Sequence, residues 1–252
     1  MEKKKLIGAI TPILLAASVV ASAQMATEAK ESGQRYNLGG TGTILFDQTG
    51  LPSVNGAPDQ NFEAAFDAYD SFAADDFVVD GDGWSITQVD TIGTASNPAP
   101  DNVADSISIS FHADIAGAPD PVAIVDCEYT DLPITAQIDG SFTVNLTSPC
   151  DLTPGTYWVA MQTNQEFAVS GQHFWSSTQT VSGSEAHWLN PGDGFGSGCT
   201  TWSPGGSVCG VADGGNGAFL SYDHLFSLTG TLLEDTDLIF ANGFEAIPLS
   251  QN

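Results

Sequence analysis

The sequence predicts an all-β fold: an antiparallel β-sandwich, jelly-roll-like, with at most one short helix. Three observations predict it. Apolar and polar residues alternate over short segments, the period-2 signature of a strand with one buried face. Turn-forming residues punctuate those segments, with 27 Gly and 13 Pro in 252 residues. Only one stretch has helical spacing, so helices cannot supply a second layer.

Taken in order, the domain begins at Thr43, with a first strand expected at 44–47. Asn61 to Phe72 is the one candidate helix, because Phe62, Ala65, Phe66 and Tyr69 recur at helical spacing. Three aromatics and many acids make it a poor helix former, so a short helix or an irregular turn is expected. A strand follows at 75–80. Trp84 and Ile86 share a face while Val89 falls on the opposite parity, and a β-bulge near Thr87 would restore it. Ile107, Ile109 and Phe111 alternate with Ser106, Ser108 and Ser110. Another strand is expected at 121–126. Phe142, Val144 and Leu146 alternate with Ser141, Thr143 and Asn145, and Thr156–Gln162 is dense in β-formers after the turn signal Pro154-Gly155. Further strands are expected at 172–176 and 224–230.

The flanks read differently. Residues 1–23 have the layout of a secretory signal peptide: Lys3, Lys4 and Lys5, an apolar stretch from Leu6 to Val20, and a small-residue site for cleavage between Ala23 and Gln24. The alternative, a membrane anchor, is disfavoured because the stretch is short for a span and contains Pro12. Residues 24–42 form a polar leader, 43–231 the sandwich domain and 232–252 a C-terminal tail. The expected product is secreted or held at the cell surface, with no integral span after cleavage.

Charge excludes several function classes. The chain carries 31 acidic and 5 basic residues, a formal net charge of −26, and no Lys or Arg follows Arg35. Nucleic acid is excluded as a partner, since there is no cationic groove to release counterions. A P-loop and a Lys Schiff base are excluded too. In an exported chain the four cysteines read as two disulfides. Nearest-neighbour pairing, Cys127–Cys150 and Cys199–Cys209, is expected over the two other connectivities. A zinc site built from all four cysteines would need closer paired spacings.

The segments NFEAAFDAYDSFAADDFVV (61–79), GWSITQVD (83–90), LTPGTYWVAMQ (152–162), WLNPGDGFGSGCTTW (188–202) and FSLTG (226–230) resemble a bacterial extracellular domain family of uncharacterised function. The resemblance implies a secreted β-sandwich and brings no catalytic residues. The chain departs from that family's pattern at Asp80-Gly81-Asp82-Gly83. The tail IFANGFE (239–245) is similar to a short C-terminal motif on exported gammaproteobacterial proteins, which implies a sorting tag; a last ordered strand is the alternative.

Candidate chemistry is sparse. Asp75-Asp76 are neighbours in a strand and point to opposite faces, so the inward one needs backbone donors or a cation. Nothing sets two carboxyls at a glycosidase separation. Calcium is the one ion the oxygen-rich turns invite, at Asp80/Asp82, at Asp101-Asn102 with Asp105, or at Asp213 with Asn216. None completes an EF-hand, and solvated acidic loops are the simpler reading. His112, His173, His187 and His224 are dispersed, with no metal-ligand spacing. Phe174, Trp175, Trp188, Phe195 and Trp202 lie close together among Gly, Ser and Asn. Trp175, Trp188 and Trp202, with His187 and Asn190 as donors, are therefore the expected ligand set of a sugar platform. Packing of these rings in the core is the competing reading. The expected function is a non-enzymatic binding or surface module for polysaccharide or a cell-surface component. The alternatives are a glycan-acting hydrolase and a structural envelope or matrix protein.

Overall fold

The computed structural model describes residues 42–51, 53, 55–96, 104–212 and 221–234. The expected signal peptide, Ala23, Gln24, the IFANGFE motif and the turn residues Asp101, Asn102, Asp213 and Asn216 lie outside the described residues.

The strands in chain order begin with β1 (Thr43–Asp47), β2 (Asn55–Pro58), β3 (Gln60–Asn61), β4 (Phe72–Val79), β5 (Trp84–Thr91) and β6 (Gly93–Ala95). There follow β7 (Ser106–Asp114), β8 (Pro119–Leu132), β9 (Ile134–Ile138), β10 (Ser141–Leu152) and β11 (Gly155–Asn164). The last are β12 (His173–Thr178), β13 (His187–Leu189), β14 (Ser203–Pro204), β15 (Asp223–His224) and β16 (Phe226–Leu232).

Two antiparallel sheets form the sandwich. The first has the order β1-β16-β5-β10-β9 and the second β14-β13-β4-β11-β7-β8, with β3 joining β11 in parallel. Eight of these strands carry the topology. In chain order they are β1, β4, β5, β7, β8, β10, β11 and β16. The first, eighth, third and sixth lie side by side in one sheet, and the second, seventh, fourth and fifth in the other. That is the double Greek key of a jelly roll, as the sequence predicts. A small third sheet, β15-β12-β2 with β6 paired to β12, completes the architecture.

Alternation places the core between the two large sheets. Ile107, Ile109 and Phe111 of β7 are buried while Ser106, Ser108 and Ser110 remain partly exposed on the opposite face. The parity break in β5 is resolved by a bulge: Gln88 pairs with Thr229 and Ile86 with Gly230, leaving Thr87 as the extra residue. Trp84, Ile86 and Val89 are consequently all buried. Phe77 of the second sheet meets Trp84 and Phe226 of the first, with ring centroids 6.0 and 6.5 Å apart. Each such ring contributes about 1.5–3 kcal/mol by leaving water.

Both expected disulfides are formed. Cys127–Cys150 ties β8 of one sheet to β10 of the other, and Cys199–Cys209 closes the loop around β14. Of the short helix or irregular turn expected at 61–72, the turn is what forms. Asn61 is taken into β3, Ser71 N–H donates to Gln60 O, and Asp70 accepts from Phe62 N–H, so only a 3-10 turn at Asp67–Tyr69 remains. The one α-helix among the described residues is the four-residue turn Phe167–Ser170.

Candidate functional site

The expected sugar platform does not form as drawn. Trp175 and Trp188 are each 0% exposed. Trp175 lies parallel to His224 at 4.3 Å, and its indole N–H donates to Leu225 O. Trp188 pairs in register with Ala73, whose side chain faces the space between the sheets, and its N–H donates to Pro58 O. Asn190 is also buried. Its amide donates to Ala68 O and Asp70 O while its oxygen accepts from Phe195 N–H, so it joins two loops. His187 packs edge-on against Trp158 at 4.8 Å, and burial lowers its pKa. These four residues hold the fold. Rings this large bring enough apolar area to be drawn inward wherever strand parity permits.

Trp202 alone of the set is partly exposed. It lies on the outer face of the second sheet, over a cluster of Ala74, Trp158 and Ala160. Two alanines in adjacent strands leave the room that the indole fills. Phe72 and His112 meet it edge-on, with centroids 6.4 and 6.1 Å away. Ser110 pairs in register with Ala160, so the serines of β7 share this face. Asn164 extends it: its amide donates to Ser106 Oγ, Ser108 Oγ and Asp131 Oδ1. His112 Nδ1 is 2.9 Å from Asp120 O, a pure acceptor, so Nδ1 carries the hydrogen. Nε2 then accepts from Ser110 Oγ at 2.9 Å. The face thus combines one accessible indole with hydroxyl and amide groups and the Asp131 carboxylate that accepts from them.

Sequence reasoning missed the buried polar groups, whose partners are distant in the chain. Asp59 and His173 are fully buried, with Oδ1 and Nδ1 2.6 Å apart. His173 Nε2 donates to Gly140 O, and Thr163 Oγ1 donates to Asp59 Oδ2. Asp75 does turn inward, and it finds backbone donors: the N–H groups of Asp76 and His224, with the Gln48 amide as a third. Asp76 lies on the outer face yet is only 4% exposed, because residues 182–184 cover it. Burial pushes the Asp75 carboxyl well above the usual range, with Asp223 and Asp76 adding repulsion. Burial likewise raises Asp76 to about 6 and Asp223 to about 7. His224 is lowered by burial to about 3, so its ring is neutral.

Among the described residues no three His, Cys, Asp or Glu side chains form a metal centre. Asp80 and Asp82, two of the expected calcium ligands, are exposed, and Asp80 accepts from the Trp84 indole. No described helix is long and apolar enough to cross a membrane. No family model matches the chain, and no curated protein and no solved structure matches it.

Proposed function

We propose that this chain is a secreted, non-enzymatic binding module that holds neutral polysaccharide on the outer face of its second sheet. The observation that carries the reading is Trp202, a partly exposed indole seated on alanines beside Ser106, Ser108, Ser110 and Asn164. An aromatic ring offers a flat apolar face to the C–H side of a sugar, and neighbouring hydroxyl and amide groups pair with its hydroxyls. The net charge of −26 repels anionic polymers, which narrows the class to neutral ones. The two disulfides, the signal-like N-terminus and the resemblance to bacterial extracellular domains support an exported module. The test is affinity electrophoresis through gels holding neutral polysaccharides. Trp202→Ala should abolish retardation at unchanged far-ultraviolet circular dichroism; retardation equal to that of the wild type would sink the reading.

A hydrolase acting on acylated glycans is the second reading. It rests on the hydrogen bond from Ser110 to His112, which would let His112 Nε2 take the hydroxyl proton as Oγ attacks an ester carbonyl. It stands second because the group behind His112 is a neutral carbonyl rather than a carboxylate.

A further inference from the structure

We propose that Asp76 and Asp223, with the hydroxyl of Tyr222, form a calcium-binding site beneath the segment 182–184. Each carboxylate uses one oxygen to hold that segment: Asp76 Oδ2 accepts from Ser184 N–H at 3.1 Å and Asp223 Oδ2 from Ser182 N–H at 2.6 Å. The other oxygen of each, Oδ1, is buried and has no hydrogen-bond partner. A buried anionic oxygen with nothing to bond is costly, and hydrogen-bonding potential is rarely left unused. The Tyr222 hydroxyl makes an independent third case. It is buried, the residue being 1% exposed, it has no partner, and the charges that reach it are Glu185 first, then Asp75 and Asp223.

The described residues hold no Lys or Arg to offer these oxygens, since none follows Arg35. The neighbouring acids are already committed. Asp75 accepts from Gln48, Asp76 N–H and His224 N–H, and Glu185 accepts from Gly206, Ser207 and Ser221. The free donors are therefore two carboxylate oxygens and a phenol, all hard. Calcium accepts such a set with backbone carbonyls and water in irregular geometry, whereas magnesium demands near-ideal octahedral placement. Gly183 fits the reading as a lid. Its φ is +92°, and a Cβ there would stand 2.4 Å from Asp76 Oδ2, so the backbone presses directly on the carboxylate.

The experiment uses the full chain after chelator treatment. Thermal melts with CaCl2 are compared with MgCl2 and NaCl at matched ionic strength, and calcium binding is measured by calorimetry. Calcium should raise Tm beyond its ionic-strength controls, with one equivalent bound. Asp223→Asn and Asp76→Asn should each weaken binding at least tenfold and lose the calcium-specific rise. Terbium luminescence on the wild-type chain gives a readout independent of the variants' folding: emission excited through tyrosine should appear and be displaced by calcium. No calcium-specific rise in the wild type, an undiminished rise in either variant, or no sensitised terbium emission would each overturn the proposal.

Discussion

Two parts of the interior are equally buried and built on opposite chemistry. Between the large sheets lie Ile86, Val89, Phe111, Val144, Val159, Met161 and Leu228, a set with no polar side chain. Around the small third sheet lie Asp59, His173, Asp223 and His224, with Asp75 and Gln48 beside them, wedged among the rings of Phe142, Trp175 and Tyr222. The first region depends on filled volume and tolerates exchange of one apolar residue for another of similar size. The second depends on particular pairs of atoms and tolerates almost no exchange, because the polar groups there have given up water for a few fixed partners.

The largest effect that would break this contrast is expected at Asp59. Asp59→Ala strips His173 of its carboxylate and should cost about 3–5 kcal/mol in urea unfolding, as for any buried pair that loses one member. A loss below about 0.5 kcal/mol, the size of an ordinary surface change, would show that the polar region is no more demanding than the surface. Next comes the apolar region's covalent clamp. Replacing Cys127 and Cys150 together by alanine reopens a loop of 23 residues and should cost about 3 kcal/mol. Peptide mapping without reductant should recover the two cysteines linked; free thiols there in exported protein would remove the clamp from the account.

The smallest effect, read per pH unit, separates the two regions by pH. Asp76 and Asp223 have folded pKa values raised from 3.8 to about 6 and about 7. The folded state therefore keeps protons that the unfolded chain releases. Their favourable linkage is complete below about pH 4 and is lost as pH climbs toward 7, by at most about 1.4 kcal/mol per pH unit for one group. In chelator-treated protein Tm should fall across that window, and Asp223→Asn should flatten the fall. A slope unchanged by that substitution would mean that these carboxyls do not govern it.

The same contrast explains what was legible in the sequence. Strand parity is a local signal, so β7, β10 and β11, and even the bulged Thr87, could be placed from neighbouring residues. Nearest-neighbour cysteine pairing was equally local. The burial of Trp175 and Trp188 was not legible, because an indole among glycines and serines suits a core and a platform alike. Parity names two faces without saying which one a second sheet will cover. The Asp59–His173 pair spans 114 residues and leaves no trace in any window of sequence. The electrostatic reach of Asp76 to Asp223 is equally remote in sequence, although the need of an inward acid for donors or a cation was apparent at Asp75-Asp76.

The adjacency of β1 and β16 bears on how the molecule comes into being. Synthesis delivers β1 first and β16 last among the described strands, and β1 has no strand partner other than β16. For most of its emergence the chain therefore holds an unmated edge segment, while the 23-residue span from Cys127 to Cys150 is already whole and can be oxidised. The clamp can close before β16 joins β1 to the rest of the first sheet. The final strand then enters between β1 and β5, pairing with both at once. Completion of this sandwich is thus a late event in time, held back by the arrival of seven residues, Phe226–Leu232.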